Sequence, residues 1–193
     1  PANLPVHPAG SYFTHTLLTH LRTQGIKGYL VHRIDRETSG ILVLAKDSQS
    51  CHLLGKQFLE RKTEKYYKAI VHGTVSKKTF TVDLPLQRSE NSKIALKMAP
   101  LAEEKGGLPA FTEFRKKASS DRFTLLDCFP KTGRQHQIRV HLQSIGHPIV
   151  GDKLYSLEED EALHFFERTQ ISPEIESKLI LPRHALHAAG LKF

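Results

Sequence analysis

A hairpin in the middle of the chain restricts the fold. Residues 110–118 and 122–129 are rich in aromatic and apolar residues, and only Ser119-Ser120-Asp121 separates them. So short a connection predicts antiparallel pairing. Further strands are predicted at residues 61–72, 79–84 and 185–193. Few helices are available to cross over between strands, and we therefore expect an α+β fold with a mostly antiparallel sheet.

Helices are predicted from capping residues and from the spacing of apolar side chains. Three are expected, at about residues 14–22, 48–60 and 134–145. Asp47 is a good N-cap for the second helix. In the third, Ile138, Leu142 and Ile145 recur at i, i+4 and i+7, which indicates a buried stripe, and Gly146 is expected to end it.

The remaining segments are less regular. Residues 1–12 contain three prolines and should be extended. Residues 38–40 are expected to turn, and the apolar run 41–45 that follows is predicted to be a buried strand. Residues 86–109 are polar, which predicts a long exposed connection with a short strand at 94–98. Residues 156–182 are expected to form a helical excursion.

Charge favours a polyanionic partner. The chain has 193 residues and a net charge of +8, which raises the expectation of nucleic acid. It contains two cysteines, Cys51 and Cys128, each beside apolar residues, and we expect reduced thiols in a cytoplasmic protein. No apolar run is long enough to span a bilayer. The twelve histidines lack companion ligands at metal-binding spacing, so no metal site is predicted.

One loop concentrates charge next to the apolar run. His32, Arg33, Asp35, Arg36 and Glu37 lie within six residues. A carboxylate on a rigid loop between arginines is a common way to display a reactive group. The same pattern also suits a surface turn in which Asp35 merely pairs with an arginine. The loop by itself leaves both interpretations open.

A second cluster of polar residues lies at residues 131–141. A glycine before a helix start, with Arg and Gln around it, can offer N–H groups to an anion, although the segment is not a P-loop. Arg134 is predicted in the first helical turn, where it needs an anionic partner. Arg139 lies at the edge of the buried stripe. There it either pairs with a carboxylate, for which Asp35 is a candidate, or lies on the solvated face.

These clusters resemble motifs of a known family. Residues 32–40, His-Arg-Ile-Asp-Arg-Glu-Thr-Ser-Gly, resemble the His-Arg-Leu-Asp-x-x-Thr-Ser-Gly signature of the RluA family of RNA pseudouridine synthases, with Ile34 where Leu is usual. Residues 65–69, Lys-Tyr-Tyr-Lys-Ala, are similar to its Lys-x-Tyr-x-Ala motif. Further similar segments lie at residues 4–8, 133–142, 146–152 and 186–188.

The resemblance implies a fold and a reaction. It implies the pseudouridine synthase fold, a mixed and largely antiparallel sheet with flanking helices and a cleft that binds RNA. It also implies an isomerase that needs no cofactor and converts a specific uridine of ribosomal or transfer RNA to pseudouridine. The expected partner is therefore RNA, with no membrane, and we expect a monomer in the cytoplasm.

The resemblance also implies roles for individual residues. By motif matching, Asp35 is the catalytic carboxylate, Tyr67 supplies a ring for the flipped base, and Arg139 pairs with Asp35. Adjacent strand residues face opposite sides, so Tyr66 and Tyr67 cannot both stack on the base. The residues expected to bind substrate or RNA are His32, Arg33, Arg36, Thr38, Gly40, Lys131, Arg134, Gln137 and Ile138.

Two other functions compete with this interpretation. The first is an RNA-binding module that has lost its chemistry. The second is a hydrolase acting on polyanions, which needs a second catalytic carboxylate or a metal cluster that the sequence does not offer. For domain organisation, we expect residues 1–193 to form a single catalytic domain that lacks its first strand and its last segment. No additional N-terminal RNA-binding domain is visible.

Overall fold

Ten strands, five α-helices and one short 3₁₀ helix (Glu103–Lys105) make up the regular structure of the described residues. The computed structural model describes residues 1–8, 12–167 and 172–193. In chain order the elements are α1 (Leu17–Thr23), β1 (Tyr29–Leu30), β2 (Ser39–Gly40), β3 (Leu44–Ala45), α2 (Ser48–Leu59), β4 (Glu64–His72), β5 (Thr79–Asp83), β6 (Leu86–Arg88), β7 (Met98–Pro100), β8 (Phe111–Ser119), β9 (Phe123–Pro130), α3 (Gln137–Ser144), α4 (Glu159–Glu167), α5 (Pro173–Leu179) and β10 (Leu186–Lys192). Residues 9–11 and 168–171, parts of the predicted extended segment and helical excursion, lie outside the described residues.

The chain divides into two compact units. The first unit comprises residues 1–65 and 187–193, and the second comprises residues 66–186. Strand β4 begins in the first unit and continues in the second, whereas β10 begins in the second and continues in the first. The single domain expected from the sequence stays a prediction.

In the first unit, short strands hold a capped helix. Strands β1 and β3 pair antiparallel, and β2 pairs with β10 in parallel. Helix α2 begins as predicted, because the Asp47 side chain accepts a hydrogen bond from the N–H of Ser50 at 2.7 Å. The thiol of Cys51 in this helix donates to the carbonyl of Leu30 in β1 at 3.4 Å. The cap and this contact fix α2 beside the short strands.

In the second unit, an antiparallel sheet packs one face on the core. Its strand order is β4-β9-β8-β5, and the β8–β9 hairpin forms as predicted. Side chains from the sheet and from α3 form the main core, among them Val71, Phe114, Leu126, Ile138 and Leu142. With the parallel β2–β10 pair in the first unit, the strands are mixed and mostly antiparallel. This confirms the predicted α+β class.

The region predicted as a turn and a five-residue strand differs from expectation. Ser39 and Gly40 form strand β2, and the turn lies earlier, where the N–H of Thr38 donates to the carbonyl of Asp35 at 3.0 Å. Only Leu44 and Ala45 of the apolar run are strand. The predicted buried strand at 41–45 is therefore wrong, because part of its backbone bonds outside a ladder and Ile41 is 45% exposed.

The long connection at 86–109 is less exposed than predicted. Leu86 and Ile94 are buried and join Val140, Leu154 and Tyr155 in a second core cluster. The short strand expected at 94–98 lies instead at Met98–Pro100, where it pairs with Leu86–Arg88. The segment is mostly polar, so its sequence did not indicate that these few apolar side chains pack in the core of the second unit.

Helix α3 begins later than predicted. His136 has φ 54°, a left-handed conformation that precedes the helix, so Arg134 lies in the loop and not in the first turn. The expected glycine does follow the helix, since Gly146 has φ 80°. Ile138 and Leu142 are buried as predicted, whereas Ile145 is 39% exposed because it lies just beyond the helix.

Candidate functional site

The predicted site residues fall in both units. The first unit holds His32, Arg33, Asp35, Arg36, Thr38 and Gly40. The second unit holds Tyr67, Lys131, Arg134, Gln137, Ile138 and Arg139. Within each unit, local contacts hold these side chains in place.

Asp35 lies on a tight turn that is anchored on its C-terminal side. The hydrogen bond from Thr38 N–H to the Asp35 carbonyl closes the turn, and Thr38 is buried. Asp35 is half-buried, whereas Arg33 and Arg36 beside it are exposed. The turn therefore carries Asp35 between two exposed arginines in the sequence, and its catalytic role stays a prediction.

Gly40 fixes the end of this loop against β10. Its φ is +112°, and a Cβ built on it would lie 2.1 Å from the carbonyl oxygen of Ala188. Only glycine combines this conformation with so close an approach of two backbones. Beside it, Ser39 Oγ lies 2.9 Å from Nδ1 of His187. The sequence interpretation gave Gly40 a role in substrate binding, and its backbone contacts supply a structural reason for a glycine here.

Arg36 is held by neighbours within the first unit. Its Nη2 donates to Oε1 of Glu37 at 3.1 Å. The guanidinium also bonds the hydroxyl of Tyr12 and lies 5.3 Å from the centre of that ring. The side chain is 43% exposed, so an anion can still reach it.

His32 is held on the inner side of the same loop. Its Nε2 accepts a hydrogen bond from the N–H of Val43 at 3.0 Å. Its ring stacks on Phe58 of α2, with centroids 4.8 Å apart and planes 16° apart. Burial, followed by the positive charge of Lys65, lowers the pKa of His32 to about 4, and the imidazole is therefore neutral at pH 7.

The two adjacent tyrosines of β4 face opposite sides, as predicted. Tyr67 packs against the main core of the second unit. The hydroxyl of Tyr66 donates to Asp127 Oδ1 at 2.7 Å, and its ring stacks on Phe129 with centroids 5.3 Å apart. Tyr66 is therefore a structural residue of the opposite sheet face, which leaves Tyr67 as the tyrosine that the motif selects.

Arg139 has a buried carboxylate partner that the sequence interpretation missed. Its Nε donates to Oδ2 of Asp152 at 2.7 Å, and its Nη2 donates to Oδ1 at 2.9 Å. The two side chains are 8% and 0% exposed, so the alternative of a solvated Arg139 is wrong. The guanidinium carbon also lies 4.9 Å from the centre of the Tyr155 ring. The pairing of Arg139 with Asp35 stays a prediction.

Asp152 is kept ionised although it is buried. Burial by itself would raise its pKa, but the charge and hydrogen bonds of Arg139 outweigh burial and lower the pKa to about 2. The N–H groups of Leu154 and Tyr155 donate to Oδ1 at 3.0 and 3.2 Å. A fully bonded buried pair fixes the plane of the guanidinium. Gly-Asp at 151–152 belonged to a matching motif, but nothing in the sequence indicated which side chain this carboxylate meets.

Gln137 organises the loop before α3. Its Oε1 accepts from Thr132 Oγ1 at 2.7 Å and from the N–H of Arg134 at 3.0 Å. Its Nε2 donates to the Phe111 carbonyl at 3.0 Å and to Thr112 Oγ1 at 2.9 Å. Gln137 is 3% exposed. It therefore holds the segment that carries Lys131 and Arg134, the two cations of this loop that are expected to bind RNA.

The other predicted residues of the second unit differ in exposure. Lys131 is exposed, and Arg134 is half-buried, with its Nε donating to the carbonyl of Pro109 at 3.1 Å. Ile138 is 6% exposed and belongs to the main core. Lys131 is thus the more accessible cation of this loop, while Ile138 contributes apolar surface from the helix.

Over residues 1–8, 12–167 and 172–193, no group of three or more His, Cys, Asp or Glu side chains could hold a metal ion. Within the same ranges, none of the helices has the length and apolar character needed to cross a membrane. Both cysteines are free, which confirms the predicted thiols.

Comparisons with known proteins point to one family. The sequence model of a family described as RNA pseudouridylate synthase matches residues 1–144. Ribosomal large subunit pseudouridine synthase D of Nitrosomonas europaea is 36% identical over 199 residues, which cover 100% of this chain and 53% of the relative. The mitochondrial tRNA pseudouridine(32) synthase of Saccharomyces cerevisiae is 38% identical over 162 residues, which cover 82% of this chain and 34% of the relative.

Solved structures agree in fold. Human RNA pseudouridylate synthase domain containing 4 superposes with a TM-score of 0.72 at 28% identity, covering 99% of this chain and 77% of that one. Human RNA pseudouridylate synthase domain containing 1 has a TM-score of 0.76 at 23% identity, covering 99% of this chain and 71% of that one. The chain spans about half the length of the curated relatives it matches. The matches in sequence and fold agree with the motifs, and the chain belongs to the RNA pseudouridylate synthase family.

Proposed function

We propose that this protein isomerises a specific uridine to pseudouridine in ribosomal or transfer RNA. The observation that carries the proposal is the family match over residues 1–144, which includes Asp35, Tyr67 and Arg139 at their motif positions. The turn that presents Asp35 and the buried partner of Arg139 support it, because a catalytic constellation needs supporting contacts behind it.

In the proposed reaction the N1–C1′ bond of the uridine breaks, the detached uracil turns over, and a C5–C1′ bond forms. The C5 hydrogen leaves as a proton and N1 gains one, so the isomerisation needs no oxidant, reductant or cofactor. Asp35 is the catalytic carboxylate in this proposal, and Arg139 orients it. Tyr67 offers a flat ring to the base once it has left the RNA stack.

The exposed cations are proposed to bind the RNA backbone. Arg33, Arg36 and Lys131 are exposed, and Arg134, on the same loop as Lys131, is half-buried. Phosphate contacts of this kind give affinity and position more than base specificity. Because Arg36 is already bonded to Glu37, a phosphate would have to compete with that carboxylate for the guanidinium.

The decisive experiment compares Asp35→Asn with the unaltered chain on ribosomal and transfer RNA labelled with tritium at C5 of uridine. Formation of the C5–C1′ bond releases the label to water, so released tritium counts turnovers. We expect Asp35→Asn to lose at least about 1,000-fold in turnover, as expected for removal of an essential catalytic group, while RNA affinity changes by less than about threefold.

Asp47→Asn is the matched control. It makes the same chemical change at a helix cap in the first unit, where Asn caps as well as Asp. Its turnover should equal that of the unaltered chain. If the unaltered chain binds RNA without releasing tritium, the protein is a silent RNA-binding module and the proposal fails. Turnover by Asp35→Asn within tenfold of the unaltered chain would remove Asp35 from its role.

The RNA target, the oligomeric state and the cellular location of the protein each need an experiment of their own. A transcriptome-wide map of pseudouridine, made with and without the gene, should lose the site or sites that the protein modifies. We propose that it acts as a monomer in the cytoplasm. Light scattering of the purified chain and microscopy of a tagged form test these two statements.

A further inference from the structure

His32 makes two contacts that a residue on the RNA surface would not need. Its Nε2 lies 3.0 Å from the N–H of Val43, and its ring stacks on Phe58 at 4.8 Å. The imidazole therefore has one ring nitrogen and one face committed inside the first unit. These contacts set His32 apart from Arg33, its exposed neighbour.

The bond to Val43 requires one form of the imidazole. Nε2 can accept a hydrogen bond only when it carries no proton, so the ring proton must be on Nδ1. Protonating Nε2 would point a second donor at the Val43 N–H. Burial and the positive charge of Lys65 on β4 both favour the neutral ring, and they lower the pKa of His32 to about 4. At neutral pH the acceptor is therefore always present.

The bond also closes the loop that carries Asp35. His32 lies three residues before Asp35, and Val43 lies eight residues after it. Val43 is outside any strand, and the His32 ring supplies the acceptor for its N–H. Gly40 and Ile41 are fixed by β10, and the antiparallel pair of Leu30 with Leu44 joins the two sides of the loop just outside His32 and Val43. The His32 side chain extends this closure beyond the backbone ladder, one step nearer to Asp35, and Phe58 fixes the ring.

We propose that His32 is a positioning residue: its neutral imidazole links the two ends of the Asp35 loop and holds the catalytic carboxylate in its working orientation. This rests on the proposed function, since Asp35 must be the catalytic group. It replaces the direct RNA contact that the sequence predicted for His32. A positioning residue acts through the catalytic group, so its loss should lower kcat and leave RNA affinity nearly unchanged.

Two substitutions of His32 separate these roles. In His32→Gln the side-chain amide oxygen can reach the place of Nε2 and accept from the Val43 N–H. In His32→Leu the apolar volume is retained and the acceptor is lost. We expect His32→Leu to lose 10- to 100-fold in kcat, with KM and the RNA Kd changed by less than about twofold. His32→Gln should recover at least tenfold of a 100-fold loss.

His52→Leu is the matched control: it makes the same chemical change at an exposed residue of α2. Its kcat should equal that of the unaltered chain. Phe58→Leu provides a second test, since it removes the stacked ring and leaves the Nε2 bond. Its kcat should fall less than that of His32→Leu, again at nearly constant KM. Circular dichroism and thermal melting establish that each variant is folded. If His32→Leu does not fold, the kcat values of Phe58→Leu and His32→Gln test the positioning role of His32 instead.

Three results would overturn the proposal. One is a raised RNA Kd with a shallower salt dependence in His32→Leu, which identifies His32 as a phosphate contact. Another is an equal loss of kcat in folded His32→Gln and folded His32→Leu, which would show that the hydrogen-bond acceptor does not account for the loss. The third is unchanged kcat in Phe58→Leu and His32→Leu together.

A separate readout distinguishes this failure from failure of the proposed function. Nitrogen NMR of the unaltered chain should show the proton of His32 on Nδ1, and the Val43 amide should exchange with solvent faster in His32→Leu than in His32→Gln. These two measurements do not depend on enzymatic turnover. A chain that lacks synthase activity but shows both would refute the proposed function, while the loop contact itself would stand.

Discussion

Breaking the buried pair of Arg139 and Asp152 should lower the free energy of unfolding by an amount that follows from the contacts of the pair. In Asp152→Asn the shape is kept, but the charge is lost and an amide NH₂ must face the donors of Arg139. Both side chains are nearly inaccessible, and two hydrogen bonds of 2.7 and 2.9 Å join them. Breaking a buried pair from one side typically costs about 3–5 kcal/mol because the other charge is left uncompensated. For a chain of this size, that corresponds to a melting temperature lower by about 6–20 °C.

The assay is thermal unfolding at pH 7, followed by circular dichroism. Asp160→Asn is the control, since Asp160 pairs with Lys93 at 3.5 Å while its side chain is 85% exposed. An exposed pair contributes little, and the control should melt within about 2 °C of the unaltered chain. Arg139→Met/Asp152→Asn removes both charges, keeps a side-chain oxygen for the N–H groups of Leu154 and Tyr155, and should melt higher than Asp152→Asn, because no buried charge remains unpaired.

The same pair predicts that the stability of the fold depends on pH. The folded-state pKa of Asp152 is about 2, below the ordinary value of 3.8. A carboxyl with a lowered pKa contributes stability that is fully present above the unfolded value and is lost as the pH falls from about 4 to about 2, on the order of 2 kcal/mol here. Asp152→Asn should lose less stability over that interval. A variant that melts within about 3 °C of the unaltered chain at pH 7, with the same acid dependence, would refute the reasoning.

The close approach of Gly40 to Ala188 and the burial of the thiols give two further predictions. Gly40→Ala should lower the melting temperature by at least about 4 °C, since its Cβ would lie 2.1 Å from a backbone oxygen. Gly25→Ala is the control for backbone conformation alone, because Gly25 has φ +72° and open space around it. The melting temperature should fall less in this control. Ellman's reagent should modify half-buried Cys51 much faster than buried Cys128, because burial raises the pKa of the Cys128 thiol, and equal rates in the folded chain would contradict this.

Local sequence rules predicted the elements whose signals are local. The β8–β9 hairpin, the Asp47 cap of α2 and the glycine after α3 each depend on a few adjacent residues, and each was found where expected. The errors lie where a distant group decides the backbone. Residues 41–45 look like a strand, but the ring of His32 and the edge of β10 take hydrogen bonds that a longer strand would give to a neighbour.

The sequence by itself determined the family, the α+β class, the motif positions of Asp35, Tyr67 and Arg139, and the opposite faces of Tyr66 and Tyr67. These follow from motif order and from the two-residue period of a strand. Only the tertiary structure decided that Arg139 is bonded to Asp152 and that His32 faces Val43 and Phe58. The reason is physical: a charged or polar residue looks the same in a sequence whether it meets solvent, RNA or a buried partner, and only folding brings the partner within hydrogen-bonding distance.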